Sequence, residues 1–246
     1  MNPGATRYGI VVIGNEVLSG KVEDINSTFL MKELHALGGR VERVAIIPDV
    51  ANDIAETVKA FSRRFDVVLT SGGVGPTHDD LTFPSVARAF DRPMVFNPRM
   101  AEAIKDFFGE ERAQVYLAMA TLPEGIELIF TDGLLFPVTK LENVFIFPGD
   151  PTVLRKKFRA IRDRFAEAPF HLARVFTTLE EGDLAPLLRS LQEEIPHLEV
   201  GSYPVYDNPD YKVQVTLESK DAHAVAEGRR RLLAAIPPET VVSVEG

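Results

Sequence analysis

The 246 residues include 36 acidic and 27 basic side chains, for a formal net charge of −9, and 45% of the chain is hydrophobic. This composition excludes a disordered chain, and the acidic excess argues against nucleic acid as a partner, because that affinity comes from Lys and Arg neutralising phosphates. With no cysteine, disulfides, thiolate catalysis and sulfur-ligated zinc are ruled out.

Residues 8–13 are apolar and β-branched and read as a buried parallel strand. Asn26 or Ser27 then suits the cap of a helix with Leu30, Leu34 and Leu37 on one face, ended by Gly38 and Gly39, with Asp24 and Asn26 open to either a capping or a ligand role. Residues 41–47 form the next strand. A helix follows that turns Ile54, Val58, Phe61 and Phe65 inward, then a third strand over 66–71. Beyond a glycine-rich loop, Thr82 caps a further helix. Helices at 98–108 and 111–119, a strand at 127–131, a hairpin of 134–141 with 143–147 and a helix opened by Pro151 complete this part.

Alternating strands and helices predict a three-layer α/β/α domain with a mostly parallel sheet, spanning residues 1–168. Residues 169–246 read as strand, helix, two strands, helix and strand, a small α+β domain of β-α-β-β-α-β order. No apolar run is long enough to span a membrane, and no signal-peptide pattern opens the chain, so no membrane partner and a cytoplasmic location are expected.

In an open parallel sheet, ligands bind beyond the carboxyl ends of the strands. The segments at those ends are Gly14-Asn15-Glu16, Pro48-Asp49, the loop Thr70-Ser71-Gly72-Gly73-Val74-Gly75-Pro76-Thr77-His78-Asp79-Asp80-Leu81-Thr82, and Pro148-Gly149-Asp150. Gly72, Gly73 and Gly75 let a backbone approach a phosphate closely, and Thr70 and Ser71 add hydroxyls. Asp79 and Asp80 set hard oxygens where a phosphate-bound divalent cation can sit. The pattern is neither a Walker A loop nor G-x-G-x-x-G. Asp49 suits either a ligand role or a helix cap, and Pro148-Gly149 either a ligand contact or a rigid turn. Of the five histidines, only His78 falls in these loops, and none shows metal-ligand spacing.

Gly14 through Gly20, Asp24-Ile25-Asn26 and residues 70–82 resemble the molybdopterin-binding (MoaB/Mog-like) domain of the CinA family. Phe61-Ser62-Arg63-Arg64-Phe65, Phe147-Pro148-Gly149 and Gly201-Ser202-Tyr203-Pro204 extend the resemblance toward the N-terminal domain of eukaryotic-type FAD synthases. Asp150 departs from the family, which places an apolar residue there. The amidohydrolase unit of the CinA relatives and the synthase unit of the FAD synthases are not expected within these residues.

The resemblance implies a metal-dependent nucleotide pyrophosphatase that splits FAD, ADP-ribose or a related dinucleotide and releases AMP. More distant relatives imply an alternative, a pterin ligand that is bound and adenylylated. A non-catalytic nucleotide-binding module is the third reading. The phosphate-binding set is Thr70, Ser71, Gly72, Gly73, Gly75, Thr77, Thr82, Gly14, Asn26, Pro148 and Gly149. The metal set is Asp79, Asp80, Glu16 and Asp49. His78 and Lys140 are candidates to steady developing charge beside Asp79 and Asp80. The expected cofactor is Mg²⁺, Mn²⁺ or Co²⁺, with K⁺ kept as a second ion, and a homo-oligomer, dimer or trimer, is expected.

Overall fold

In the computed structural model, which describes residues 5–246, the backbone contacts part the chain between Ala166 and Glu167. The unit Thr6–Ala166 opens with β1 (Arg7–Ile13), a short α1 (Asn15–Leu18), α2 (Ile25–Ala36), β2 (Arg40–Ile47), α3 (Ala51–Arg64) and β3 (Val67–Ser71). After the glycine loop come α4 (Thr82–Ala89), β4 (Met94–Phe96), α5 (Pro98–Phe108), α6 (Glu110–Tyr116) and β5 (Thr121–Pro123). It closes with β6 (Glu127–Ile129), β7 (Val138–Leu141), β8 (Val144–Phe147) and α7 (Pro151–Ile161).

The main sheet has the order β2-β1-β3-β8-β7-β6. β1 runs parallel to β2 and β3, and β3 parallel to β8, while β7 and β6 turn back antiparallel at the edge. The expected α/β/α layering with a mostly parallel sheet is therefore what the chain adopts.

Period-two alternation in β1 feeds two separate cores. Tyr8, Ile10 and Val12 pack with Leu30 and Leu34 of α2 and Leu154 and Phe158 of α7. Val11 and Ile13 pack on the other face with Ile54, Val58 and Phe61 of α3 and Val86 of α4. Each such side chain, fully buried, contributes about 1.5–3 kcal/mol. Burial on both faces explains why β1 shows no polar alternation. Gly9 has no room for a side chain: a Cβ there would lie 2.4 Å from the Phe65 ring, which packs edge-on against Phe61.

Several boundaries differ from the sequence reading. The first strand of the hairpin begins at Val138 rather than at residue 134, because residues 131–137 turn, with Leu134 N–H donating to Thr131 O. The helix read over 111–119 ends at Tyr116 and tightens into a 3₁₀ turn over Leu117–Ala120. The β4–β5 ladder, three residues a strand, and α1 have no counterpart in that reading.

The unit Glu167–Gly246 contains β9 (His171–Thr177), α8 (Glu181–Glu194), β10 (Glu199–Pro204), β11 (Val213–Ser219), α9 (Ala222–Ala235) and β12 (Val241–Glu245). Its antiparallel sheet has the order β10-β11-β9-β12, the ferredoxin-like arrangement. Val213, Val215 and Leu217 alternate inward onto Leu184, Leu191 and Leu232 of the two helices, leaving the other face of β11 half-buried. Among the described residues, no helix is long and apolar enough to cross a membrane.

Candidate functional site

The segments that follow β1, β2, β3 and β8 meet around one cleft of about 450 Å³ at the carboxyl edge of the sheet. After β3, Gly72 and Gly73 adopt φ of 109° and 65°, a left-handed region that strains any side-chain-bearing residue. Space is as restrictive as φ. A Cβ at Gly72 would lie 2.1 Å from Ile13 O, and one at Gly73 2.5 Å from Thr82 Oγ1.

The loop is fastened from both sides. Gly72 N–H donates to Phe147 O at 3.1 Å. Thr82 donates twice, from its N–H to Gly73 O at 2.9 Å and from its hydroxyl to Gly72 O at 2.8 Å. The Asn26 amide donates to Ser71 Oγ at 3.0 Å and to Gly149 O at 2.7 Å, so it clasps the β3 and β8 loops together. At Gly149 a Cβ would already touch Gly72 Cα, at 3.4 Å.

Farther along the loop, the Thr77 hydroxyl lies 2.5 Å from Asp79 Oδ1 and 2.6 Å from Asp80 Oδ2, and Thr77 N–H donates to Asp80 Oδ2 at 2.8 Å. The Thr77 hydroxyl, and next the backbone N–H of Asp79 itself, hold the Asp79 carboxyl below the usual carboxylate range. Asp49 does not cap α3, whose N-cap is Val50; its Oδ2 instead accepts from Asn15 N–H at 2.7 Å and anchors α1. Asp24 takes the cap of α2, accepting from Asn26 and Ser27 N–H. Asp150 caps α7 through Val153 N–H at 2.8 Å, directly before Pro151.

Of the residues singled out in the sequence, Glu16, Asp49, Gly72, Gly73, Gly75, Asp79, Asp80, Pro148 and Gly149 line the cleft. Thr70, Ser71, Thr77, Thr82, Gly14 and Asn26 stand behind or beside that lining. Thr70 and Thr82 are fully buried, and Gly14 N–H is spent on Ile47 O.

Two candidates are not brought in. Lys140 neighbours Thr139, which does line the cleft, so strand alternation turns the lysine to the opposite face, where Nζ lies 3.3 Å from Glu127 Oε2. The His78 side chain is fully exposed and its Nδ1 lies 4.0 Å from Asp79 Oδ1, outside the cleft wall.

The wall also includes Phe83, Met100, Met119, Phe136, Pro137 and Lys157, which the sequence does not mark as site residues. Lys157, in the basic run Arg155-Lys156-Lys157, reads from sequence as part of a solvated helix face, and the structure instead sets it half-buried at the cleft. Lys157 had a usable signal. It follows Val153 by one helical turn on α7, whose N-terminus was already placed at the site. Its Nζ donates to Pro137 O at 2.5 Å, and burial pushes its pKa down from 10.5 to about 8.

Residues 9–167 match the family model described as a probable molybdopterin binding domain. The chain belongs to that family. Residues 169–245 match the model of the FAD synthase middle domain. A protein of Archaeoglobus fulgidus is 34% identical over 216 residues, covering 88% of this chain and 92% of that one. A probable FAD synthase of Caenorhabditis elegans is 33% identical over 263 residues, covering 94% of this chain. The chain spans 51% of that synthase's length. Among solved structures, the protein CinA of Thermoplasma acidophilum, 25% identical, superposes with a TM-score of 0.60 over 65% of this chain and 98% of its own. The resemblance to CinA and FAD synthase read from the loops is thus borne out, and the likeness to FAD synthase extends into the second unit.

Proposed function

We propose that the cleft binds FAD, ADP-ribose or a related dinucleotide and hydrolyses its pyrophosphate to release AMP. One observation carries the reading: the glycine backbone of the β3 and β8 loops and the carboxylates of Asp79 and Asp80 share one cavity with an apolar wall. That division matches a ligand with charged phosphates at one place and flat rings at another. The likeness to FAD synthases supports a role in FAD-related nucleotide metabolism.

The residues present fit a particular kind of metal site. Asp79 and Asp80 offer carboxylate oxygens beside the phosphate loop, and Glu16 and Asp49 line the same cleft. Among the described residues, no group of three or more His, Cys, Asp or Glu side chains comes together to hold an ion. This suits a cation that takes one or two carboxylates and completes its shell with water and substrate phosphate, as Mg²⁺ does, and not a protein cage. When bound, Mg²⁺, Mn²⁺ or Co²⁺ would supply Lewis-acid activation of the phosphorus and of water.

The chain's own residues do the rest. Backbone N–H groups of the glycine loop bind the anhydride oxygens, and the clasp of Asn26 and Thr82 keeps those donors aimed. The apolar wall orients the rings. Water adds to one phosphorus, the bridging P–O bond breaks, and the bridging oxygen leaves with the other phosphate, so FAD would yield FMN and AMP.

The test is a screen of metals against dinucleotides, with and without K⁺, and with product identification. AMP release from FAD or ADP-ribose that depends on a divalent cation is expected. No release from any pair would end the reading.

The family match favours a second reading, a pterin-handling enzyme that binds molybdopterin and transfers an adenylyl group to it. ATP-dependent adenylylation of molybdopterin, with no dinucleotide hydrolysis, would replace the first reading by this one. Binding without turnover in every arm would leave a non-catalytic module. Self-association as a dimer or trimer is proposed with either enzyme, and light scattering tests it.

A further inference from the structure

Lys157 is the one Lys or Arg among the described residues that line the cleft, which also carries Glu16, Asp49, Asp79, Asp80 and Asp150. It stands six residues beyond Pro151 on α7, about 9 Å along the helix axis from the end that abuts Gly149. Its Nζ is hydrogen-bonded to Pro137 O, and no carboxylate of the described residues forms an ion pair with it. An ammonium has three donors, so two are left.

Those two donors belong to a partly buried charge set among Phe136, Pro137 and Val153. Phe83, Met100 and Met119 continue the apolar wall. A flat ring suits such a wall, and a ring with an acceptor edge satisfies the ammonium. Adenine answers less well: it has no carbonyl oxygen, and its acceptors are single ring nitrogens, two of them flanking a donor amino group. A flavin or a pterin answers well, since both carry a lactam edge with ring carbonyl oxygens.

We propose that the apolar end of the cleft receives an oxo-bearing heterocycle, flavin or pterin, and that Lys157 donates to its ring carbonyl oxygen. Lys157 is then the residue that selects the ring, while the glycine loop is indifferent to it. This deepens the reading above and rests on the same cleft being the ligand site.

The experiment is a binding series without turnover, using FMN, a simple pterin, ADP-ribose and AMP. Flavin and pterin binding is followed by their own fluorescence and the other two ligands by calorimetry. Wild type, Lys157→Met and Lys157→Arg are compared, and a thermal melt of each establishes that it folds. Loss of a hydrogen bond to a charged group predicts that Lys157→Met weakens the oxo-ring ligand by about 10- to 100-fold. Lys157→Arg should recover part of that loss, and ADP-ribose and AMP should stay within about twofold.

A loss for FMN alone identifies the ring as a flavin, and a loss for the pterin alone identifies a pterin. Unchanged FMN and pterin binding in Lys157→Met overturns the inference. So does an equal loss for ADP-ribose, or the failure of both ring ligands to bind wild type. Ring-selective binding with no AMP release from FAD would end the pyrophosphatase reading and leave this inference standing. AMP release that ignores Lys157 would do the reverse.

Discussion

At the glycine-lined end of the cleft a ligand meets main chain; at the apolar end it meets side chains drawn from α4, α5, the 3₁₀ turn after α6, the segment before β7, and α7. The first end is rigid by construction. Gly72 is pressed against Ile13 O, Gly149 against Gly72, and Thr82 and Asn26 fasten the loops from behind. The second end has no comparable constraint, since Phe136, Met119 and Lys157 are each only partly buried. Backbone N–H donors recognise any phosphate, so on the proposed reading the rigid end sets the class of chemistry. Side chains can be exchanged at small cost to the fold, so on the same reading the other end sets which ring is accepted.

The largest effects should come from the rigid end. Asp79→Asn and Asp80→Asn are expected to cut AMP release by about 100-fold or more. AMP binding, measured by calorimetry, should change far less. Turnover within a few-fold of wild type in both variants would remove this pair from the catalytic step.

Gly72→Ala comes next, because it combines positive φ with a collision against backbone. It should cost about 3 kcal/mol or more and lower the thermal midpoint by roughly 6–12 °C. Phe136→Ala, at the other end, should cost about 1–2 kcal/mol in the same melt. Equal losses would break the contrast between the two ends.

The same contrast explains what could be read in advance. Residues 70–82 announce themselves because glycines, hydroxyls and carboxylates lie within one short stretch, and the strand-end rule places that stretch at a ligand site. The small unit was equally legible, since its β-α-β-β-α-β order is local. The apolar end depends on distant segments meeting. Met100 and Met119 belong to a side cluster with Ile104 and Leu122, below the two-stranded β4–β5 ladder, whose three-residue strands carry no usable periodicity.

The two lysines show the limit most sharply. Lys140 and Thr139 differ only in strand parity, and alternation does not say which of two neighbours faces a ligand. Helical period, by contrast, points from Val153 to Lys157 once Pro151 is known to abut the site.

Lys157 also makes a pH-dependent contribution that sharpens the comparison. Its pKa falls from an ordinary 10.5 to about 8 because the ammonium is buried. Between about pH 8 and 10.5 the unfolded chain therefore holds a proton at this site that the folded chain has lost. The state that binds more protons gains as pH falls, so stability assigned to Lys157 rises with pH across that window and is lowest below it. Lys157→Met lacks the term. In urea melts from pH 7 to 10, wild type should gain on the variant by about 1.4 kcal/mol per pH unit within the window, up to about 3 kcal/mol. Parallel curves for the two proteins would mean that Lys157 is solvated and that the apolar end is wetter than its lining implies.

The smallest effect, and the one that separates the two ends most directly, is expected at Asn26. Asn26 does not itself line the cleft, yet its amide joins Ser71 Oγ to the carbonyl of Gly149, which does. Asn26→Ala leaves both acceptors without that donor and should cost about 1–2 kcal/mol in a denaturant melt. The consequence for binding follows from what the clasp holds. If Gly149 drifts from Gly72, the donors for phosphate lose their aim, whatever ring is attached. FMN, ADP-ribose and AMP should all weaken together, by a few-fold each. Lys157→Met should instead separate FMN from ADP-ribose. An Asn26 variant that discriminated between those ligands would mean that the clasp reaches the ring, and that the phosphate end and the ring end are a single site whose parts do not act independently.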